Sequence, residues 1–344
     1  MKLPREVIIG KNVLERVPEV CGELRLGKNV LIITGETTYR IAGGRLASLM
    51  NDSFEVEIEK IGEASEKSVK NVVDISKKIK ADFIVATGGG RVIDVAKLAS
   101  KIAGIEFVSI PTAASHDGIA SAIASIKNSR GVTSRAAEPP IAVVADTEII
   151  KSSPYRLLAS GCGDVISKYT SVKDWMLARQ VKDEEISEYS IAMSEMAAEI
   201  IVQAENEIPQ GGEAAIRKVI KALISCGVAM SIAGSSRPAS GSEHKFSHAL
   251  DILTEKPALH GEQCAVGSIM AMYLHGGDWR EIRDALKNIG APTTAEELDI
   301  DSRLIVDALV SAKKIKPHRY TILEHLNIDK DKAEKAARYT GVIE

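Results

Sequence analysis

The chain is short of most features that would assign it to a specialised class. Its 44 basic and 47 acidic residues nearly cancel, leaving a formal charge of -3 over 344 residues, so no excess positive field is available to hold a nucleic-acid backbone or an anionic membrane. No uninterrupted apolar run approaches the roughly 20 residues of a membrane span, and the opening MKLPREVIIG lacks the apolar core of a secretion signal. A cytoplasmic protein is expected, with neither nucleic acid nor membrane as partner. Cysteine is scarce: Cys21, Cys162, Cys226 and Cys264 form no CxxC pair, which argues against a zinc knuckle or a disulfide framework and for four reduced, buried thiols. Aromatic residues make up only 4%, so the cores should be aliphatic. There is no internal repeat, no Gly/Ser-rich linker and no GxGxxG fingerprint.

What is present reads as two halves. A length of 344 residues exceeds the size at which one core usually stops growing. The first 150 residues alternate β-rich runs with longer amphipathic stretches, the pattern of βαβ units around a mostly parallel sheet. Strands are predicted at Val30 to Thr34, Phe54 to Glu59, Asp82 to Thr87, Phe107 to Pro111 and Ile141 to Asp146. Ser65 to Lys80 spaces Val69, Val72, Val73, Ile75 and Ile79 as a helical stripe. Ser121 to Pro140 breaks the pattern around Asn128-Ser129-Arg130-Gly131 and reads as a hairpin or flap. Beyond Lys151 the β-rich runs vanish and helical segments take over, including Ile186 to Ile208 and Ala214 to Ala233. The expected fold is therefore an α/β nucleotide-binding domain over 1–150 and an all-helical domain over 151–344, with a small-molecule cleft between them.

Two stretches carry chemistry. In ATGGGRVIDVAK, Gly88, Gly89 and Gly90 follow a predicted strand and open a predicted helix. There, glycines let the backbone approach a pyrophosphate and the helix N-terminus supplies free N–H groups; a plain strand-to-helix turn would need the same residues. Near Thr34-Gly35-Glu36-Thr37-Thr38 no acid stands directly at the strand end to bind a ribose diol, while Arg40 lies close by. The choice between NAD and NADP stays open.

The second stretch is SGSEHKFSHALDILTEKPALHGEQ, which holds three of the seven histidines, His244, His248 and His260. His244 and His248 share a helical face and His260 opens what looks like the next helix. Imidazole is the commonest metal ligand, and three protein ligands with one open position make a catalytic site. An oxygen ligand would complete the set, and Asp164 in ASGCGDVISKYT is the candidate. Following an apparent Gly161-Cys162-Gly163 turn, Asp164 reads equally well as a helix cap.

Together GGGRVIDVAK, PTAASHDGIAS, GCGDVISK and HKFSHALD with HGEQ resemble the iron-containing alcohol dehydrogenase and dehydroquinate synthase superfamily, most closely its archaeal sn-glycerol-1-phosphate dehydrogenase branch. The resemblance spans nearly the whole chain. It implies a dehydroquinate synthase-like fold and one divalent metal, usually zinc, held by Asp164, His244 and His260, with His248 and Asp117 beside the substrate. It places NAD or NADP on Gly88, Gly89, Gly90, Arg91, Val92, Ile93 and Asp94, on Thr112, Ala113, Ala114 and Ser115, and near Ser121. The implied reaction reduces dihydroxyacetone phosphate to sn-glycerol 1-phosphate for lipid backbones, in a homo-oligomer. Lys168, Arg237, Lys316, His318 and Arg319 are the candidates to hold the substrate phosphate. A glycerol or polyol dehydrogenase and a dehydroquinate synthase-like lyase are the alternative activities.

Overall fold

The computed structural model describes residues 1–128, 131–255 and 258–344. It has two compact units, Met1–Tyr155 and Arg156–Glu344.

In the first unit, β1 (Glu6–Gly10), β2 (Asn29–Thr34), β3 (Glu55–Lys60), β4 (Phe83–Gly88), β5 (Glu106–Pro111) and β8 (Ala142–Asp146) form one parallel sheet in the order β1-β8-β5-β4-β2-β3. Both faces of its inner strands are covered. Leu31, Ile32, Ile33, Ile84, Val85, Val143 and Val144 are all fully buried, which is why these strands read as continuous apolar runs rather than alternating ones. The edge strand β3 does alternate, with Glu55, Glu57 and Lys60 exposed. The β-rich runs named from the sequence lie on five of these strands. The other, β1, was not anticipated, although its EVIIG pairs along β8 from Glu6↔Ala142 to Gly10↔Asp146.

The helical stripe folds as α1 (Glu66–Lys78), started by Ser65, whose hydroxyl accepts the Ser68 N–H. The glycine-rich turn leads into α2 (Gly90–Ala103). The expected hairpin is the antiparallel pair β6 (Ile123–Asn128) and β7 (Gly131–Ala136); Ser129 and Arg130 of its turn lie outside the described residues. The chain leaves β2 for the edge strand β3 but leaves β4 for β5 on the other side. Such a reversal of strand order marks the crevice where open α/β sheets bind ligands, at the carboxyl ends of the strands.

The second unit is built of helices: α3 (Tyr155–Ile166), α4 (Lys168–Lys182), α5 (Glu188–Gln203), α6 (Glu213–Ala233), α7 (Ser242–Leu253), α8 (His260–Leu274), α9 (Trp279–Ile289) and α10 (Ser302–Ser311) are its longer ones. The packed pair α5 and α6 lies close to the expected segments, and α7 packs chiefly against α8 and α10. One local expectation is overturned. Gly161-Cys162-Gly163 is not a turn and Asp164 does not cap a helix, because α3 runs unbroken through all four residues. The glycines serve close packing instead. A Cβ at Gly163 would come within 2.6 Å of the Gly261 carbonyl oxygen, and one at Gly261 would overlap the Ser160 carbonyl. The bare backbones of α3 and α8 thus touch, which no larger residue permits.

Candidate active site

That close crossing sets Asp164 of α3 beside the start of α8, where His260 is the first helical residue. Arg156, at the other end of α3, grips Glu262 with Nε to Oε1 at 2.5 Å and Nη2 to Oε2 at 2.7 Å, a bidentate pair that fixes the two helices in register. His244 enters from the first turn of α7. Its Nε2 lies 3.6 Å from Asp164 Oδ1, and its ring centroid is 4.9 Å from that of His260. Asp164, His244, His260 and Cys264 each bring a potential donor atom within 4.8 Å of all the others.

The neighbours prepare these donors. Glu243 Oε1 lies 2.8 Å from His244 Nδ1, so the ring that gives its Nδ1 proton to this carboxylate keeps a lone pair on Nε2, the side facing Asp164. Glu243 is itself fully buried and accepts from Gly241 N at 2.6 Å and Thr170 Oγ1 at 2.8 Å. Burial, and then the charge of Asp174, push its pKa up to about 7. Burial and the Lys168 ammonium hold the His244 imidazole well below its usual range, so it stays neutral and able to ligate. His260 Nδ1 lies 3.1 Å from Ser247 Oγ, which donates to Gln263 Oε1 at 2.5 Å. Lys168, wholly buried, donates to Asp164 Oδ1 at 2.6 Å.

Cys264 was read from the sequence only as a buried thiol. It is buried, yet one helical turn after His260 it sets Sγ 3.6 Å from His260 Nε2; the spacing of four was the available signal. Burial raises its pKa well above the ordinary thiol value. His248 shares a helix with His244 but falls outside the four-donor group. It stacks on His260 with centroids 5.9 Å apart, and its buried Nδ1 has no hydrogen-bond partner among the described residues. Asp251 Oδ2 stands 3.7 Å away, beyond bonding distance.

The basic candidates fare differently from solvated loop charges. Arg237 and Arg319 are 4% and 8% exposed. Arg237 Nε donates to Glu184 Oε1 at 2.6 Å and Nη1 to Tyr320 O at 2.9 Å. Arg319 donates to the Ser240 carbonyl and, at 2.8 Å, to Ser236 Oγ. Lys316 is half-buried and His318 exposed.

In the α/β unit, the glycine turn lies at the strand-order reversal. Thr34 at the end of β2 pairs with Thr87 of β4, so Gly35, just past β2, and Gly88, the last residue of β4, follow that pair at the carboxyl ends of the two strands. No side chain caps the N-terminus of α2, whose first N–H groups suit an anion. Thr112 N donates back to Gly88 O at 3.1 Å, tying the second motif to the first. Thr112, Ala113, Ala114 and Ser121 are buried, whereas Arg91 is exposed and its Nη1 donates to Gly62 O at 3.2 Å. Asp94 turns its carboxylate toward buried Lys97, 3.1 Å away, and Lys97 also donates to Ser121 Oγ at 3.2 Å. Asp117 is half-buried in a short 3-10 turn. The sequence reading passed over His116: its Nδ1 accepts from Gly118 N at 2.8 Å, and a Cβ at either Gly90 or Gly118 would overlap its ring.

Comparison with known proteins bears on these two constellations. The family model described as "Iron-containing alcohol dehydrogenase" matches residues 8–154. Proteins named glycerol-1-phosphate dehydrogenase [NAD(P)+] from Methanosarcina barkeri and Thermococcus sibiricus are 53% and 52% identical, matching 100% of this chain and 96% and 98% of their own lengths. Among solved structures, a probable glycerol dehydrogenase from Sinorhizobium meliloti 1021 superposes with a TM-score of 0.83 at 20% identity, covering 100% of this chain and 99% of that one. A sulfoacetaldehyde reductase from Bifidobacterium kashiwanohense, in complex with NAD+, does so with a TM-score of 0.77 at 16% identity, covering 100% and 98%. At such identities these two structures speak for the fold alone.

Proposed function

Because this chain belongs to the glycerol-1-phosphate dehydrogenase [NAD(P)+] family, within the iron-containing alcohol dehydrogenases, we propose that it reduces dihydroxyacetone phosphate to sn-glycerol 1-phosphate. Bound NAD(P)H would supply the hydride for the ketone carbon and a proton would reach the carbonyl oxygen, so that the net reaction consumes NAD(P)H and a proton and yields the alcohol and NAD(P)+. The observation that carries this reading is the convergence of Asp164, His244 and His260 on one point, in a chain matched end to end by relatives of that name. The product is suited to the backbone of glycerophospholipids.

The donor set fits a divalent ion. A carboxylate oxygen, two borderline imidazoles and a nearby soft thiol make a mixed donor set of the kind zinc takes, and zinc is the ion we assign. Asp164, His244 and His260 would hold it, and such an ion would supply Lewis-acid polarisation of a carbonyl. The rest of the chemistry belongs to side chains. Glu243 fixes the His244 tautomer. His248, whose Nδ1 makes no hydrogen bond among the described residues and lies 3.7 Å from Asp251 Oδ2, holds or passes the proton of a substrate hydroxyl, and Asp117 receives a terminal hydroxyl. Gly88 to Asp94, Thr112 to Ser115 and Ser121 bind the nucleotide, Asp94 and Ser121 through the Lys97 link that shapes the turn. The enzyme acts as a homo-oligomer in the cytoplasm.

Zinc-loaded enzyme should oxidise NADH or NADPH in step with dihydroxyacetone phosphate consumed, and chiral analysis should give the sn-1 ester. Faster turnover of unphosphorylated dihydroxyacetone, or the sn-3 product, would overturn the reading.

A further inference from the structure

A phosphate ester needs a cation that the protein has not already neutralised. In the helical unit nearly every buried charge is spent. Lys168 is paired with Asp164 at 2.6 Å, Lys245 with Glu324 at 2.6 Å, and Arg237 with Glu184. His275 lies 3.0 Å from Asp174, and His244 lies 2.8 Å from Glu243. Arg319 touches no carboxylate, but its guanidinium is occupied by Ser236 and Ser240. His318 is exposed to water.

Lys316 is the exception. It is half-buried, yet among the described residues its ammonium makes no hydrogen bond or ion pair. A cation withdrawn from water without a partner is costly. Its backbone is also held at φ 46°, in the left-handed region that side chains seldom adopt. The turn responsible is closed by Arg319 N donating to Lys316 O at 2.8 Å, which brings two cations to one place. Lys245 adds a third positive field, set against the buried Glu243 carboxylate. Lys245, the residue after His244 on α7, donates to Arg319 O at 3.1 Å, and Arg319 donates to the Ser240 carbonyl just before that helix, so this positive surplus lies against the end of α7 that bears His244.

We propose that Lys316 is the direct donor to the substrate phosphate, with Arg319 behind it as a fixed positive field, and that this pair sets the preference for a phosphorylated ketone. The assignment rests on the dihydroxyacetone phosphate reading. A phosphate monoester is nearly a dianion at neutral pH, which matches the two positive charges of the segment that meet no carboxylate. Neutral trioses offer that segment nothing.

The test compares zinc-loaded wild type with Lys316→Ala, Lys316→Gln and Lys316→Arg on dihydroxyacetone phosphate and on dihydroxyacetone. Loss of one charge-assisted hydrogen bond should raise KM for the phosphate ester on the order of tenfold or more in the Ala and Gln variants. Their kcat should change little, and the ratio of kcat/KM between the two substrates should fall by the same factor. The Arg variant should recover most of that preference. Inorganic phosphate should compete with the ester in wild type and compete at least tenfold more weakly in Lys316→Ala. Equal losses on both substrates, or unchanged inhibition by phosphate, would overturn the role of Lys316 while leaving the reaction standing. A wild-type enzyme indifferent to the phosphate would instead overturn the reaction and the assignment together. Zinc content and far-ultraviolet circular dichroism of each variant separate misfolding from lost recognition.

Discussion

Glu243 touches the metal site only through His244, and its removal should therefore be felt as metal affinity. In Glu243→Gln one amide oxygen replaces two carboxylate oxygens that accept from Gly241 N and Thr170 Oγ1 and face His244 Nδ1. Zinc affinity, measured by chelator competition, should fall by about 10–100-fold, the usual cost of losing such a partner, whereas Asp164→Ala should bind no zinc and show no turnover. Lys316 predicts a pH dependence of definite sign. Burial, with the neighbouring Arg319 and Lys245 charges set against Glu243, pushes its pKa down to about 8. The cationic form exists below that value, so KM for the phosphate ester, a dianion from about pH 7, should be lowest between about pH 7 and 8 and rise above that, by at most tenfold per pH unit; Lys316→Arg should abolish the rise. At this scale the sequence was informative where types clustered. Three histidines in one short string announced a metal site. Glu243 and the isolation of Lys316 were not legible, since each depends on what tertiary neighbours stand nearby, and a glutamate beside a histidine is unremarkable in a sequence; Cys264 offered only its spacing of four from His260.

Among the elements, the crossing of α3 and α8 is where a single methyl group has the largest effect. Gly261→Ala would drive a Cβ into the Ser160 carbonyl and part the two helices that bear Asp164 and His260. Urea unfolding should show a loss of about 1–3 kcal/mol, typical of overpacking, together with reduced zinc content; a variant as stable and as zinc-loaded as wild type would refute the account of that crossing. The parallel strands were legible because burial on both faces leaves continuous apolar runs, and the α5 and α6 helices because their periodicity extends over many residues. The β1 strand, five residues long at an edge, offered too short a run. Gly161-Cys162-Gly163 was misread for a different reason. Glycine serves both turns and close helix contacts, and only the partner backbone of Gly261 tells them apart.

For the whole molecule, the ligand sets fall on separate stretches of chain. The candidate metal donors all belong to Arg156–Glu344, and the glycine turn, Thr112 to Ser115 and Ser121 all belong to Met1–Tyr155. Hydrogen exchange should therefore show zinc slowing amides of α3, α7 and α8, and NADH slowing those of Gly88–Asp94 and Thr112–Ser121. Zinc at a hundredfold excess over its dissociation constant should add about 2.7 kcal/mol of stability, and a chelator should remove it. The same arrangement orders events on the ribosome. Each unit is one uninterrupted stretch, and chains emerge from the N-terminus, so the nucleotide fold can form while the helical half is still being translated. Asp164 and His244 also emerge before His260, and the ion cannot be gripped until α8 has cleared the exit tunnel. Metal capture thereby follows the nucleotide fold, and a nascent chain stalled before His260 should show the α/β unit folded but no three-donor zinc site.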